Sequence, residues 1–318
     1  MLERSRRGTD LYGMVEEFFR SSFSTDNALI TEAVRRMLAA GGKRLRPRLT
    51  LLAAESVGGR AEDHLQLAAF MELIHVATLI HDDVVDGAET RRGVNATAVD
   101  FGNRVSVLAG DYLFAWIFKN VTAHYHHPIP HILSSTLADI TDGEVLQLKA
   151  VGDPATSFSD YIEIASKKTA SLFAASAECG ALGAGGSPFA VKALRDFGTA
   201  YGVAFQMRDD VLDLTADEAT LGKPVGNDLR ERKMTVPLIL ALAAGDREFR
   251  ADVERFLAED DPPRERIAGI VAGIGAQGGL AQTESALAGY VERAKQSLTP
   301  LGNAPPRTQL AALADALL

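Results

Sequence analysis

Two aspartate-rich segments are the strongest candidates for chemistry in this 318-residue chain. Asp82-Asp83-x-x-Asp86 and Asp209-Asp210-x-x-Asp213 share one spacing, which places the first and last carboxylates on the same face of a helix. Like charges at that spacing destabilise a helix by roughly 0.2–0.5 kcal/mol. Mg²⁺ reverses this penalty, because carboxylates can hold it while water and phosphate oxygens complete its shell. One copy alone could be a solvated acidic helix end, but two copies predict a site in which Mg²⁺ ions hold a diphosphate.

Basic side chains that could bind phosphate oxygens lie near these motifs. Lys43 and Arg46 are about one helical turn apart in the segment Gly41-Gly42-Lys43-Arg44-Leu45-Arg46-Pro47. The other candidates are Arg91, Arg92, Lys168, Lys223 and Lys233. An Arg matches two phosphate oxygens at once and a Lys acts as a point charge. Each alone would be an ordinary surface charge, and it is the two aspartate motifs that favour a phosphate-binding role.

Helices must position these residues. Apolar residues recur at steps of three or four through most of the chain, for example at Leu65, Ala69, Leu73, Ala77 and Ile80, which predicts amphipathic helices. Gly- and Pro-rich breaks separate the stripes, and no convincing strand pattern is found. The predicted fold class is all-α, with residues 1–318 forming a single large bundle of roughly a dozen helices around a central cavity.

Composition narrows the function classes. The net charge of −9 and a pI of about 5.3 argue against a nucleic-acid partner. No uncharged apolar run approaches the roughly 18 residues of a membrane span, although contact with a membrane surface stays open. Cys179 is the single cysteine, so an intramolecular disulfide is excluded and a reducing compartment is favoured. These features predict a cytoplasmic protein.

The motifs together resemble the trans-isoprenyl diphosphate synthases of the polyprenyl synthetase family. The match runs from about Gly41 to Pro237 in the family's order and with family-like spacings. Its segments are Gly41 to Pro47, Asp82 to Asp86, Arg91-Arg92-Gly93, Lys168-Thr169, Phe205-Gln206, Asp209 to Asp213 and Leu221-Gly222-Lys223-Pro224. The resemblance implies the isoprenoid synthase type of fold, a homodimer, and condensation of isopentenyl diphosphate with an allylic diphosphate by ionisation, condensation and elimination.

The resemblance also implies a role for each matching position. The ligands of three Mg²⁺ ions would be Asp82, Asp86 and Asp209, supported by Asp83, Asp210 and Asp213. The allylic diphosphate would be bound by Arg91, Lys168, Lys223 and Lys233, and isopentenyl diphosphate by Lys43, Arg46, His75 and Arg92. The catalytic residues would be Lys168, Thr169 and Gln206, the last two beside the developing carbocation. Without the resemblance, His75 would be interpreted as a core histidine.

Small residues before the first motif predict a long product. One isoprene unit is about as long as one helix turn, roughly 5.4 Å, so a product growing beside the Asp82 helix passes about one turn per addition. Short-chain members of the family typically carry a bulky aromatic one turn before the motif, where this chain has Ala77 and Thr78, followed by Ile74 and Met71. We expect roughly six or more units. The alternative is that Ala77 and Thr78 only pack against a neighbouring helix.

Two positions depart from the family pattern. Gln147 stands where short-chain members often have an Asp, and Arg232 replaces a usual Gly beside Lys233.

Three other functions are compatible with parts of the pattern. The alternatives are a shorter-chain farnesyl or geranylgeranyl diphosphate synthase, a terpene cyclase, and a non-catalytic subunit of a heteromeric synthase. The second complete aspartate motif argues against a cyclase, and the retention of all six aspartates argues against a non-catalytic subunit.

Overall fold

Helices make up most of the part of the chain that the computed structural model describes, which is residues 11–23, 25–91, 94–216, 225–302 and 304–318. In chain order they are α1 (Leu11–Ser22), α2 (Ala28–Ala39), α3 (Leu45–Ser56), α4 (Leu65–Val85), α5 (Thr97–Phe101), α6 (Asn103–His124), α7 (Ile129–Ala150), α8 (Phe158–Ala165), α9 (Ser171–Gly183), α10 (Pro188–Thr215), α11 (Asn227–Arg230), α12 (Val236–Ala244), α13 (Arg247–Leu257), α14 (Arg264–Ala276), α15 (Gly279–Ser297) and α16 (Pro305–Asp315). The predicted all-α class is confirmed.

One small sheet follows the first aspartate motif. Its strands, β1 (Thr90–Arg91) and β2 (Val94–Asn95), pair antiparallel with Thr90 opposite Asn95. Strands of two residues are too short to show an alternating pattern, which is why the sequence did not predict them. The hairpin matters because it places Arg91 on a strand directly after the motif.

Two compact units are distinguished within the chain. The first comprises Met1–Ser134, Ala175–Leu194 and Asn303–Arg307, and the second comprises Ser135–Ala174, Arg195–Gly302 and Thr308–Leu318. The first aspartate motif belongs to the first unit and the second motif to the second unit. The expectation of a single domain stays a prediction.

Helix α4 forms the core of the first unit. It packs against α1, α3 and α6, and Leu67, Phe70, Met71, Leu73 and Ile74 are fully buried along it. A helix covered on several sides is apolar around most of its circumference. Its last turn, which carries Asp82 and Asp83, therefore extends from a tightly packed helix and not from a loop.

A π-helical turn, Ser166–Ala170, joins α8 to α9 in the second unit. Such a turn adds a residue to the helical repeat and is frequent at functional sites. Gly143 of α7 lies against it so closely that a Cβ atom there would fall 2.5 Å from the backbone nitrogen of Lys168. Contact between backbones thus fixes the turn that carries Lys168 and Thr169.

A similar close approach in the first unit gives a test of the packing. A Cβ atom at Gly180 of α9 would lie 2.2 Å from the carbonyl oxygen of Thr50 on α3. We expect Gly180→Ala to lower the free energy of unfolding by about 1–3 kcal/mol, because the two helices must separate. Chemical denaturation measures this change.

Gly289→Ala is the matched control for that substitution. Gly289 lies inside α15 with open space around its Cβ position, so alanine there should raise the free energy of unfolding by about 0.5–1 kcal/mol. If both variants gained stability, the close contact at Gly180 would be wrong.

Candidate active site

The first aspartate motif ends α4. Asp82 is half-buried, Asp83 is fully buried, and Asp86, the residue that follows the helix, is exposed. Successive residues of an α-helix point about 100° apart, so Asp82 and Asp83 cannot face the same way. Asp82 and Asp86 are therefore the carboxylates of this motif that solvent reaches.

Asp83 is bound by the hairpin that follows it. The Nε and Nη2 atoms of Arg91 lie 2.7 and 2.5 Å from Asp83 Oδ1. Burial raises the pKa of Asp83, and the guanidinium of Arg91 opposes that rise. Asp83 thus acts as an anchor for β1, and Arg91 is 29% exposed, which leaves part of its guanidinium open to a ligand.

Arg44, for which the sequence predicted no role, anchors the basic segment before α3. It adopts a left-handed backbone conformation with φ of 47°. Its guanidinium contacts Glu16 Oε1 at 2.5 Å, Glu72 Oε1 at 2.9 Å and the Leu38 carbonyl oxygen at 2.9 Å. Glu72 is only 2% exposed, so this is a buried ion pair. The signal that could have revealed it is a lone Glu within the apolar stretch of α4.

Two of the predicted ligands of isopentenyl diphosphate flank Arg44 in the sequence. Lys43 is exposed and Arg46 is half-buried, one on each side of Arg44. His75, three residues after Glu72 on α4, is also half-buried. Arg92 and Lys223 lie outside the described residues, so their predicted roles stay predictions.

The second aspartate motif lies near the end of α10 and differs in burial from the first. Asp209 is exposed, whereas Asp210 and Asp213 are 3% and 1% exposed. Asp213 Oδ2 accepts a hydrogen bond from the backbone N–H of Asp228 at 3.1 Å, which ties α10 to α11. In this motif Asp209 is the carboxylate that solvent reaches.

Asp210 organises a chain of hydrogen bonds. Its two oxygens accept from Gln206 Nε2 at 3.0 Å and from the backbone N–H of Val236 at 3.1 Å. Gln206 Oε1 in turn accepts from the Thr169 hydroxyl at 2.8 Å. The carboxylate therefore fixes which way the Gln206 amide points, and with it the hydroxyl of Thr169 on the π-helical turn.

Burial dominates the electrostatics of this network. It raises the pKa of Asp210 to about 7, with Asp228 adding to the rise and the hydrogen bonds from Gln206 and Val236 opposing it. Burial also raises the pKa of Tyr161, and the neighbouring carboxylate of Asp210 adds to that rise. A nearby cation would favour the charged form of Asp210.

Most predicted residues of the second unit meet around one cavity of about 150 Å³. Its lining is Gln147, Ala150, Tyr161, Ile164, Ala165, Lys168, Thr169, Gln206, Asp210, Asp228, Lys233, Met234 and Thr235. The side chain of Lys168 is ion-paired with Glu144 of α7, and Lys233 Nζ lies 2.5 Å from Glu231 Oε2. The cavity thus has two cations along its wall, each with a carboxylate partner.

Arg232, which stands where the family pattern has a glycine, adopts a conformation that suits glycine. It has φ of 56°, a left-handed conformation that glycine adopts at least cost. Its carbonyl oxygen accepts from the N–H of Gly152 at 2.9 Å, and its guanidinium contacts Asp260 at 3.0 Å. The departure from glycine therefore does not remove Lys233 from the cavity wall.

The chain-length candidates are packed more tightly than an open channel requires. Ile74, Ala77 and Met71 have no exposed surface, while Thr78 is half-buried and donates its hydroxyl to the His75 carbonyl oxygen at 2.8 Å. Thr78 is four residues before Asp82 and shares its helix face. It is thus the accessible member of the predicted wall, and the role of the set stays a prediction.

The carboxylates suit Mg²⁺ in kind and number. Mg²⁺ is usually held by one or two carboxylates, with waters and substrate phosphates filling the other positions. Within the described ranges, no group of three or more His, Cys, Asp or Glu side chains could hold an ion by itself. Solvent reaches Asp82, Asp86 and Asp209, and carboxylates of this kind fit Mg²⁺ whose other ligands are waters and phosphate oxygens.

No described helix is both long and apolar enough to cross a membrane.

Comparison with known proteins points the same way. The model of the polyprenyl synthetase family matches residues 27–274. The chain is 38% identical to octaprenyl diphosphate synthase of Escherichia coli, over 92% of this chain and 90% of that protein. It is 37% identical to a short chain isoprenyl diphosphate synthase of Methanothermobacter thermautotrophicus, over 96% and 95%.

A solved structure extends the likeness to the fold. The polyprenyl synthase of Caulobacter crescentus, crystallised with calcium and isoprenyl diphosphate, superposes with a TM-score of 0.90. It is 38% identical and the match covers 96% of this chain and 92% of that one.

The Asp210 network predicts a pH-dependent loss of stability in the isosteric variant Gln206→Glu. The new carboxylate would lie about 3 Å from Asp210 Oδ1, so the two groups retain a proton when folded that they lose when unfolded. In metal-free buffer we expect the free energy of unfolding to fall by roughly 2 kcal/mol at pH 8. The deficit should shrink toward pH 5, because the raised folded pKa lowers stability only as pH rises.

Gln282→Glu provides the control for added charge, since Gln282 is exposed on α15. Urea denaturation of both variants between pH 5 and pH 8 measures the difference. Equal pH profiles for the two variants would show that Gln206 does not face a carboxylate.

Proposed function

This chain belongs to the polyprenyl synthetase family and is a prenyltransferase, and we propose that it is a long-chain trans-polyprenyl diphosphate synthase. It would condense isopentenyl diphosphate with an allylic diphosphate in the presence of Mg²⁺. The observation that carries the proposal is the difference in burial between the aspartates of each motif. Asp86 and Asp209 are exposed and Asp82 is half-buried, while the middle aspartates, Asp83 and Asp210, are buried and hydrogen-bonded.

Electrostatics would drive the first step. Mg²⁺, when bound, neutralises charge on the leaving diphosphate, and three ions would serve one allylic diphosphate. Arg91, Lys168 and Lys233 would add positive charge, because cations that are already oriented stabilise a developing anion. No nucleophilic Ser, Cys or His is required.

Residues that line the cavity would stabilise the carbocation. Gln206 Oε1 and the Thr169 hydroxyl are held in one orientation by Asp210, so their oxygen dipoles need no rearrangement during the reaction. Lys43, Arg46 and His75 would hold isopentenyl diphosphate, whose double bond attacks the cation. A proton is then lost, with the released diphosphate as the base.

The decisive experiment is an elongation assay on the purified chain. It is incubated with isopentenyl diphosphate, farnesyl diphosphate and Mg²⁺, and the extracted products are separated by chromatography. We expect products of roughly six or more isoprene units and loss of activity with a chelator or in Asp82→Ala and Asp209→Ala. Absence of elongation would refute the proposal, a hydrocarbon product would favour a cyclase, and a product of three or four units would favour the shorter-chain alternative.

Product length gives a sharper test of the wall beside Asp82. Thr78→Phe adds bulk on the face that Asp82 shares, so we expect shorter products from a folded enzyme. Thr78 suits this test better than Ala77, since a phenyl ring at the fully buried Ala77 would cost about 1–3 kcal/mol of stability by overpacking. Chromatography of the products measures the length.

Thr199→Phe controls for the added ring in that assay. Thr199 is exposed on α10, and its hydroxyl donates to the Arg195 carbonyl oxygen at 3.0 Å, much as that of Thr78 does to His75. Thr78→Phe products as long as those of the wild type would refute the wall.

A second copy of the chain is the proposed partner. Val107, Leu108 and Tyr112 of α6 are 39%, 59% and 39% exposed, an unusual concentration of apolar surface for one helix. We expect Leu108→Glu to convert a dimer to a monomer in analytical ultracentrifugation, while Leu29→Glu at an isolated exposed leucine of α2 leaves the dimer intact. A monomeric wild type would refute this part of the proposal.

A further inference from the structure

Two consecutive lysines of the π-helical turn have different surroundings. Lys167 lies 3.8 Å from Asp142 and 3.4 Å from Glu163, and these side chains are 34%, 68% and 56% exposed. Lys168 is ion-paired with Glu144, and these two are only 20% and 16% exposed. Exposed pairs are held weakly and are screened by salt, whereas a largely buried pair is part of the built structure.

Backbone geometry fixes the Lys168–Glu144 pair. Gly143, the residue before Glu144, touches the backbone of Lys168, since a Cβ atom added at Gly143 would fall 2.5 Å from the nitrogen of Lys168 and 2.9 Å from its Cα atom. No larger residue fits between α7 and the turn. The contact of the two main chains therefore holds the backbone of Glu144 close to that of Lys168, within reach of an ion pair between their side chains.

The pair has a chemical consequence at the cavity. Lys168 lines the cavity together with Thr169, Gln206 and Asp210, where the proposed reaction needs a free cation. A lysine ammonium is a point charge with three N–H donors. A carboxylate already in contact takes part of that charge and at least one donor, so an arriving diphosphate must compete for both.

We propose that Glu144 is the resident counter-ion of Lys168 and limits how tightly the enzyme holds a diphosphate. This inference rests on the proposed function and deepens it. Glu144 neutralises Lys168 before substrate binds. The ion pair forms again when the product diphosphate leaves, which speeds release of that diphosphate. Glu144 is a positioning residue, because it acts through Lys168 and not on the reacting atoms.

Binding of inorganic pyrophosphate in Mg²⁺ buffer, measured by isothermal titration calorimetry, tests the proposal. Glu144→Gln keeps the shape and removes the charge, so pyrophosphate should bind roughly fivefold to tenfold tighter. Asp142→Asn removes the same charge from the same helix beside Lys167 and should change the affinity less than about twofold. In a Lys168→Met background, Glu144→Gln should also change it less than about twofold.

Each outcome decides the question. Unchanged or weaker binding by Glu144→Gln would overturn the proposal, as would an equal gain in Asp142→Asn or a gain that persists without Lys168. A purely structural role would weaken binding. Thermal unfolding checks that the variants fold. If Glu144→Gln does not fold, Glu144→Asp serves instead: it keeps the charge but shortens the reach, and its affinity should lie between those expected for the wild type and for Glu144→Gln.

The elongation assay separates this inference from the proposed function. A wild type that elongates prenyl diphosphates but shows no coupling between Glu144 and Lys168 overturns the inference alone. A wild type that neither elongates nor binds pyrophosphate overturns both.

Discussion

The middle aspartate of each motif cannot point where its neighbours point, because successive residues of a helix are turned by about 100°. In both motifs that carboxylate is buried and must find hydrogen-bond donors to offset its desolvation. Asp83 finds Arg91 on the following hairpin, and Asp210 finds Gln206 and the backbone N–H of Val236. Each motif thus fastens its helix end to another segment of the chain, while solvent still reaches its first carboxylate.

A buried basic side chain likewise needs partners, in its case hydrogen-bond acceptors. Arg44 is buried and satisfied by Glu16, Glu72 and the Leu38 carbonyl oxygen, so it fixes the segment from which Lys43 extends. A buried arginine without such partners would be strongly destabilising. The charges of the candidate site are therefore divided into those that build it and those that stay accessible to a ligand.

Product length is less closely tied to the fold than the chemistry is. The chain resembles an octaprenyl and a short chain synthase almost equally, at 38% and 37% identity. In the proposed mechanism the charged residues act on the diphosphates, whereas product length would depend on which side chains bound the growing chain. Full burial of Ile74 and Ala77 leaves Thr78 as the residue of the predicted wall that a product could reach.

The sequence by itself determined the helical class, the two aspartate motifs and the family, since apolar periodicity and motif spacing are local properties of the chain. It also supplied the candidates Lys168, Thr169 and Gln206, which do meet at one cavity. Only the tertiary structure decided which charges are buried, because burial depends on neighbours distant in sequence. Arg44, Glu72, Tyr161 and Glu144 therefore had no predicted role, although Glu72 could have been suspected as a charge within an apolar helix. The π-helical turn was also not predicted, because no pattern within its own five residues indicates it, and its contact with Gly143 joins residues distant in sequence.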